Sequence, residues 1–261
     1  MSARQFMDIG ITGSTGVLGK ILIKRLEKLR LRYSCYDGDI CSSDDIETWI
    51  VGNKFSVIIH LAAIVSTINV KNRPSLAYEV NTIGTKKLLD KIKSSERNPW
   101  LFYASTSHVY KSKRIPIKEL DPIQPISEYG KTKYEAEQLL RDNYKNLCVG
   151  RIFSFYHESQ EDCFLYKNIM RRLKEEDLDL PFYLFGANSA RDFLYADDVV
   201  EIIVALMMNK SKGIYNIGSG KEILIRDFVQ KLSPKKLNIK MKGSDDYLVA
   251  DISKLNKVLG K

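Results

Sequence analysis

Tyr129 and Lys133 are the residues of this chain whose types and spacing most directly suggest chemistry. Four positions apart at the start of a helical stretch, they fall on one helix face. A phenol near its free pKa of about 10 is a poor base. An ammonium one turn away stabilises the phenolate, so the pair can move a proton to or from an alcohol oxygen. Thr106 can hydrogen-bond the reacting oxygen and align it. These three are the candidate catalytic residues.

About 110 residues before Tyr129, an apolar run ends in Thr12-Gly-Ser-Thr-Gly-Val-Leu-Gly19. A tight turn needs Gly13, close backbone approach to a pyrophosphate needs Gly16, and helix–strand packing needs Gly19. A helix that starts there points its free N–H groups and dipole at the phosphates. Asp37, 18 residues after Gly19, stands at the end of the second strand, where an acid hydrogen-bonds a ribose 2′-hydroxyl and repels a 2′-phosphate. NAD(H) is therefore the expected cofactor, with NADP(H) as the alternative, and hydride transfer the expected chemistry.

The elements that must position these groups alternate along the chain. Strands are expected at 6–12, 32–36, 56–61, 100–104, 147–152 and 213–217. Helices are expected at 17–30, 44–51, 79–93, 129–144, 163–176, 199–208 and 225–232. Such alternation means an α/β fold with a parallel sheet covered on both faces, and right-handed crossovers make it doubly wound. Residues 1–153 read as the dinucleotide-binding domain, with 191–217 returning to it, and 154–261 mainly as a smaller substrate-binding part. Pro116, Pro122 and Pro125 mark a long loop before the Tyr129 helix, a place where α/β folds keep substrate contacts.

With 41 basic and 32 acidic residues the formal charge is +9, which favours anionic partners. The basic residues are scattered and form no nucleic-acid-binding motif, so no nucleic-acid partner is expected. The apolar stretches are strand-sized, so none is expected to span a membrane. Met1–Phe6 leaves no room for a signal peptide before the first strand. Cys35, Cys41, Cys148 and Cys163 show no metal-ligand spacing, and no metal site is expected. These features lead to the expectation of a cytoplasmic protein with reduced cysteines.

Taken in order, the motifs resemble the extended short-chain dehydrogenase/reductase family, specifically its nucleotide-sugar epimerase/dehydratase group with a Rossmann-type fold. The resemblance spans nearly the whole chain. Besides the glycine turn, it rests on Gly38-Asp39-Ile40, His60-Leu-Ala-Ala63, Val80-Asn81-Thr82-Ile83-Gly84-Thr85 and Ala104-Ser-Thr-Ser107 before Val109-Tyr110. Then come Tyr129/Lys133, Arg191-Asp-Phe-Leu-Tyr-Ala-Asp197, Tyr215-Asn-Ile-Gly-Ser-Gly220 and Asp251-Ile-Ser-Lys254. It implies cofactor contacts from Gly13, Thr15, Gly16, Val17, Leu18, Gly19, Asp37, Asp39, Ile40, Leu61, Ala62, Ala63, Asn81, Tyr129 and Lys133. It implies substrate contacts from Ser107, His108, Arg191 and Lys242, with Arg191 gripping the diphosphate of a nucleotide-linked sugar.

Within such a family, dehydratases carry Asp-Glu directly after the threonine, and here those positions hold Ser107 and His108. Elimination of water is therefore disfavoured. Reduction of a 4-keto-6-deoxy sugar for surface polysaccharide synthesis is the leading expectation, because Asp37 runs almost directly into Gly38-Asp39, as in dTDP-4-dehydrorhamnose reductase-like enzymes. C4 epimerisation with tightly bound NAD is the alternative, towards which Arg191-Asp-Phe leans. A dinucleotide-binding regulator without turnover is the reading from a different class. Ser154, His157 and Lys111 replace residues usual near the substrate in this family. A homodimer is expected by resemblance, through helices 79–93 and 129–144.

Overall fold

The computed structural model describes residues 7–260; Phe6 and the rest of Met1–Phe6 lie outside the described residues. The first half of the chain runs β1 (Asp8–Thr12), α1 (Val17–Lys28), β2 (Arg32–Cys35), α2 (Ser43–Val51) and β3 (Val57–His60). It continues through α3 (Thr67–Asn72), α4 (Pro74–Tyr78), α5 (Thr85–Ser94), β4 (Trp100–Thr106), α6 (Glu128–Asn143) and β5 (Leu147–Ile152). The second half comprises β6 (Ser154–Tyr156), α7 (Leu165–Glu175), β7 (Phe182–Phe185), β8 (Ala190–Arg191), β9 (Phe193–Tyr195), α8 (Ala196–Met208) and β10 (Gly213–Ile217). It ends with β11 (Ile223–Leu224), α9 (Ile225–Leu232), β12 (Ile239–Lys242), β13 (Tyr247–Leu248) and α10 (Ser253–Leu259).

Six strands make one all-parallel sheet in the order β2-β1-β3-β4-β5-β10. The fold class is the expected Rossmann-like one. Strands β3 and β5 are buried at every position, as a sheet covered on both faces requires. One face packs Leu22 and Leu26 of α1 and Val199, Val200 and Ile203 of α8 against Ile9, Ile11 and Phe102. The other packs Ile46 of α2, Leu88 and Leu89 of α5 and Ala136 and Leu140 of α6 against Ile58, Tyr103 and Val149. The chain leaves β1 towards β2 on one side and returns to β3 on the other. That reversal opens a crevice at the carboxyl ends of β1 and β3.

Smaller pieces stand at that end of the sheet. Strands β7 and β12 form a parallel ladder whose inner face packs with Ile169, Ile225 and Val229. Strands β11, β8 and β13 form a second small sheet, and β6 pairs with β9. The proline-bearing loop after β4 is tied down by the C-terminal segment. Ile117 N–H donates to Val249 O and Asp251 N–H donates to Ile117 O, both at 2.8 Å.

The expected helix 79–93 is not one α-helix. Its first turn, Glu79–Gly84, is π-helical, and regular α geometry begins only at Thr85. Asn81, within that turn, is buried and its amide bonds to neighbouring segments. Helices α3 and α4 precede it, where no helix was expected.

Candidate active site

The glycine turn sits in the crevice between β1 and β3. Gly13 has φ +74°, and a Cβ there would lie 2.5 Å from Ala62 N and 2.7 Å from Leu61 C. This turn therefore presses backbone to backbone on the 61–63 segment. Thr12 reinforces the contact, its Oγ1 accepting from Ala62 N–H at 3.3 Å. A Cβ on Gly19 would stand 2.3 Å from Gly13 O, which lets α1 leave the turn directly. Gly16 differs: it is exposed, and a Cβ would meet only Gly13 O, at 3.4 Å. Helix α1 begins there with no side-chain cap, whereas α2, α3 and α6 are capped by Ser42, Ser66 and Ser127. An open lip at which Gly16 carries no side chain, beside uncapped helix N–H groups, fits a dinucleotide pyrophosphate.

The other expected cofactor residues divide into two groups. Thr15 is exposed on the lip, Val17 and Leu18 start α1, and Asp37 is exposed just past β2. Asp39 caps its own turn, accepting from Cys41 N–H at 2.8 Å. Ile40 is buried against the Gly84 backbone. Asn81 is wholly buried. Its amide donates to Ile64 O and Thr132 Oγ1, both at 3.0 Å, and accepts from Ile64 N–H at 2.8 Å. Asn81 thus clamps the segment after β3 onto α6.

Thr106, at the end of β4, and Tyr129 and Lys133, in the first turns of α6, are brought together. Ser127 caps α6, accepting from Gly130 N–H at 3.1 Å, and a Cβ on Gly130 would collide with His108 O at 2.3 Å. That contact lets α6 start against the end of β4. Tyr129 is half-buried. Burial pushes the hydroxyl up to about 12, and the nearby Thr106 hydroxyl pulls it back. Lys133 is 2% exposed, and burial pulls its ammonium down to about 7, with Glu137 acting in the opposite direction.

His108 lies edge-on to Tyr129, ring centroids 5.9 Å apart. Ser127 Oγ, which accepts from Gly130 N–H, also hydrogen-bonds His108 Nδ1 at 3.1 Å and so fixes the imidazole orientation. Burial pulls His108 down to about 4; Arg191 pushes the same way and Asp246 opposes it. Arg191 is oriented by Asp246, Nη2 donating to Oδ1 at 2.7 Å and Nη1 to the Ala190 and Asp246 carbonyls. Ser107 is buried beside this group. Lys242 stands apart on the β7–β12 ladder, its ammonium 4.1 Å from the Tyr183 ring. Among the described residues no ion pair ties it to the others.

Three features of the site have only weak sequence signals. Glu137 and Arg151 form a buried pair beneath Lys133, Nη2 to Oε1 at 2.5 Å and Nε to Oε2 at 3.0 Å. A glutamate one turn after Lys133 was the only hint. His60 is buried between Thr12 Oγ1 at 2.6 Å and Thr85 Oγ1 at 2.9 Å. Asp192 is wholly buried and accepts from the backbone N–H groups of Ser219, Gly220 and Ala250. It holds the 218–220 turn.

Known proteins match this geometry. Residues 11–260 match the GDP-mannose 4,6 dehydratase family. A UDP-glucuronate 4-epimerase of Thermodesulfobacterium geofontis is 30% identical over 90% of this chain and 76% of its own. A GDP-6-deoxy-D-talose 4-dehydrogenase of Aggregatibacter actinomycetemcomitans is 26% identical over 97% of this chain and 92% of its own. A dTDP-4-dehydrorhamnose reductase of Bacillus anthracis, solved with NADP, superposes with a TM-score of 0.86 over 98% of this chain and 93% of that one, at 21% identity. The chain spans from 50% to 92% of the length of the curated relatives it matches. The chain belongs to the GDP-mannose 4,6 dehydratase family, the extended short-chain dehydrogenase/reductases that act on nucleotide sugars. It is an enzyme of that NAD(P)-dependent type. Among the described residues no helix is long and apolar enough to cross a membrane, and no cluster of candidate metal ligands occurs.

Proposed function

We propose that this enzyme reduces the C4 keto group of a nucleotide-linked 4-keto-6-deoxy sugar. The observation that carries this reading is the make-up of the Tyr129 cluster. It holds a proton donor and a buried cation but no free acid beside Thr106. Ser107 and His108 occupy the two following positions, and the carboxylate that acts on His108, Asp246, is bound to Arg191. Proton relay to a carbonyl is thus provided for, while elimination of water lacks its acid and base.

A bound reduced nicotinamide supplies hydride to the carbonyl carbon. Tyr129 gives its proton to the carbonyl oxygen, Thr106 aligns that oxygen, and Lys133 stabilises the resulting phenolate. The glycine turn, with Gly13, Gly16 and Gly19, receives the cofactor pyrophosphate at the start of α1. Asp37, exposed and without a partner among the described residues, favours an unphosphorylated ribose and hence NAD(H). Arg191 presents a guanidinium to the substrate diphosphate, and His108 offers an imidazole nitrogen to a sugar hydroxyl.

C4 epimerisation is the second reading, favoured by the 30% identity to a UDP-glucuronate 4-epimerase. The Arg191-Asp192-Phe193 motif does not strengthen it, because Asp192 is fully engaged in holding a turn. Loss of reduced-nicotinamide absorbance with one member of a panel of nucleotide-linked 4-keto-6-deoxy sugars is the expected result. A C4 epimer formed from a nucleotide hexose with no net change of cofactor would replace reduction by epimerisation. Ile68, Leu76 and Tyr78 are exposed on α3 and α4 beside α6, and we assign this face to a homodimer. Sedimentation at micromolar concentration is expected to show a dimer that a charge at Leu76 disperses.

A further inference from the structure

Lys133 is the cation on which the Tyr129 phenolate depends, yet no group within ion-pair distance holds it. Its side chain lies over the Tyr103 ring at 4.2 Å. Among the described residues its Nζ makes no salt bridge or side-chain hydrogen bond. A buried ammonium in such surroundings tends to lose its proton unless another charge acts on it.

The titratable and charged groups that face it come from three elements. From β3, His60 is fixed neutral. Thr85 donates its hydroxyl to Asn81 O at 2.7 Å, so it accepts from His60 Nε2–H, and Nδ1 accepts from Thr12. From β4, Tyr103 keeps its proton and donates it to Lys133 O at 3.3 Å. From α6 come Tyr129 and Glu137. Glu137 is 0% exposed and is the anion of this set.

The Glu137 carboxylate is held by β4 and β5. Arg151 reaches both oxygens, Ser105 Oγ donates to Oε2 at 3.0 Å, and Arg141 approaches Oε1 at 3.6 Å. Arg151 is itself fixed, Nη1 donating to Glu119 O at 3.0 Å and its guanidinium 4.7 Å from the Tyr110 ring. Arg151 thus brings a counter-charge and Ser105 a hydroxyl donor to a carboxylate that solvent does not reach.

We propose that Glu137 is a positioning residue whose buried negative charge keeps Lys133 protonated, with Arg151 and Ser105 anchoring that carboxylate in place. This rests on Tyr129 and Lys133 forming the proton-transfer pair proposed above, but not on the sugar they act on. The direction follows from charge. Burial lowers the Lys133 midpoint to about 7 and Glu137 raises it, so loss of the negative charge lowers it further.

The test uses the full-length, cofactor-free protein with isotope-labelled lysine, following the Lys133 Cε resonance against pH, assigned with Lys133→Met. In Glu137→Gln the midpoint is expected to fall by about one pH unit or more, a tenfold change in the protonation equilibrium. Glu137→Asp, which keeps the charge, should restore most of it. Because Glu137→Gln leaves the buried Arg151 without its counter-charge, Glu137→Gln/Arg151→Gln is measured alongside and should shift the same way. A folded variant lacking the Glu137 charge whose Lys133 midpoint stays within about 0.3 of a unit of the unmodified protein overturns the proposal. With any accepted sugar, the alkaline limb of turnover should move down in step. Failure of every 4-keto sugar as substrate would leave the Lys133 shift in place, so the two readings fail separately.

Discussion

Replacing Gly16 by alanine is expected to leave the protein folded and to abolish cofactor retention, whereas the same change at Gly13 is expected to damage the fold. Gly16 has φ −71° and ψ 171°, open to any L-residue, and its new Cβ would meet only Gly13 O at 3.4 Å. Reduced freedom of the unfolded chain favours alanine by about 0.4–1 kcal/mol, and losing a good N-cap residue costs about as much, so stability stays within about 1 kcal/mol. The methyl nevertheless stands on the exposed lip where phosphates must approach the first N–H groups of α1.

At Gly13 the balance reverses. Its φ of +74° costs an L-residue roughly 1–2 kcal/mol. Contacts of 2.5 and 2.7 Å with the Ala62 and Leu61 backbone add overpacking of about 1–3 kcal/mol, since no side chain can rotate away. A loss of roughly 2–5 kcal/mol lowers the melting temperature of a chain this size by about 5–20 °C. Thermal unfolding with and without NAD(H) separates the two effects. Ligand at a hundred times its Kd stabilises the unmodified protein by about 2.7 kcal/mol. Gly16→Ala should melt normally and show no such gain. A cofactor-induced rise retained in Gly16→Ala, or a normal melting temperature for Gly13→Ala, would refute this account of the turn.

Tyr129→Phe should lower turnover by about 10²–10⁴-fold with little change in stability, checked by steady-state kinetics alongside melting. Lys133 makes stability pH-dependent in a set direction. Between its folded midpoint near 7 and the free value of 10.5 the unfolded chain binds a proton that the folded chain does not. Stability from this group therefore rises with pH across that window, and Lys133→Met should remove the rise in denaturant titrations while abolishing turnover. Arg191→Gln should raise KM for the nucleotide sugar far more than for the cofactor. Because Arg191 holds His108 down and Asp246 opposes it, the His108 midpoint should also rise in an NMR titration.

Much of this site could be read from local pattern, because the signals that carry it are local. The glycine turn ends a buried strand and opens a helix, and Tyr129 and Lys133 are one helical turn apart. Strand–helix alternation has periods that a short window contains. Strands 147–152 and 213–217 and helix 225–232 were expected within the bounds that the structure gives them. What lay beyond local pattern depends on distant partners. Asn81 looks like a helix residue in sequence, but it lies in a π-turn and bonds to Ile64 and Thr132, segments distant in the chain. Arg191-Asp192-Phe193 looks like one substrate motif, but Arg191 faces Asp246 while Asp192 supports a turn drawn from another part of the chain. The sequence by itself determined the fold class, through hydrophobic period, and named the candidate reacting residues, through side-chain type. Tertiary structure alone decided how deeply those residues are buried and what surrounds them. Lys133 loses its solvent, and Glu137 gains its anchor in Arg151 from β5, only when α6 docks on the sheet, because burial and charge partners come from segments distant in the chain.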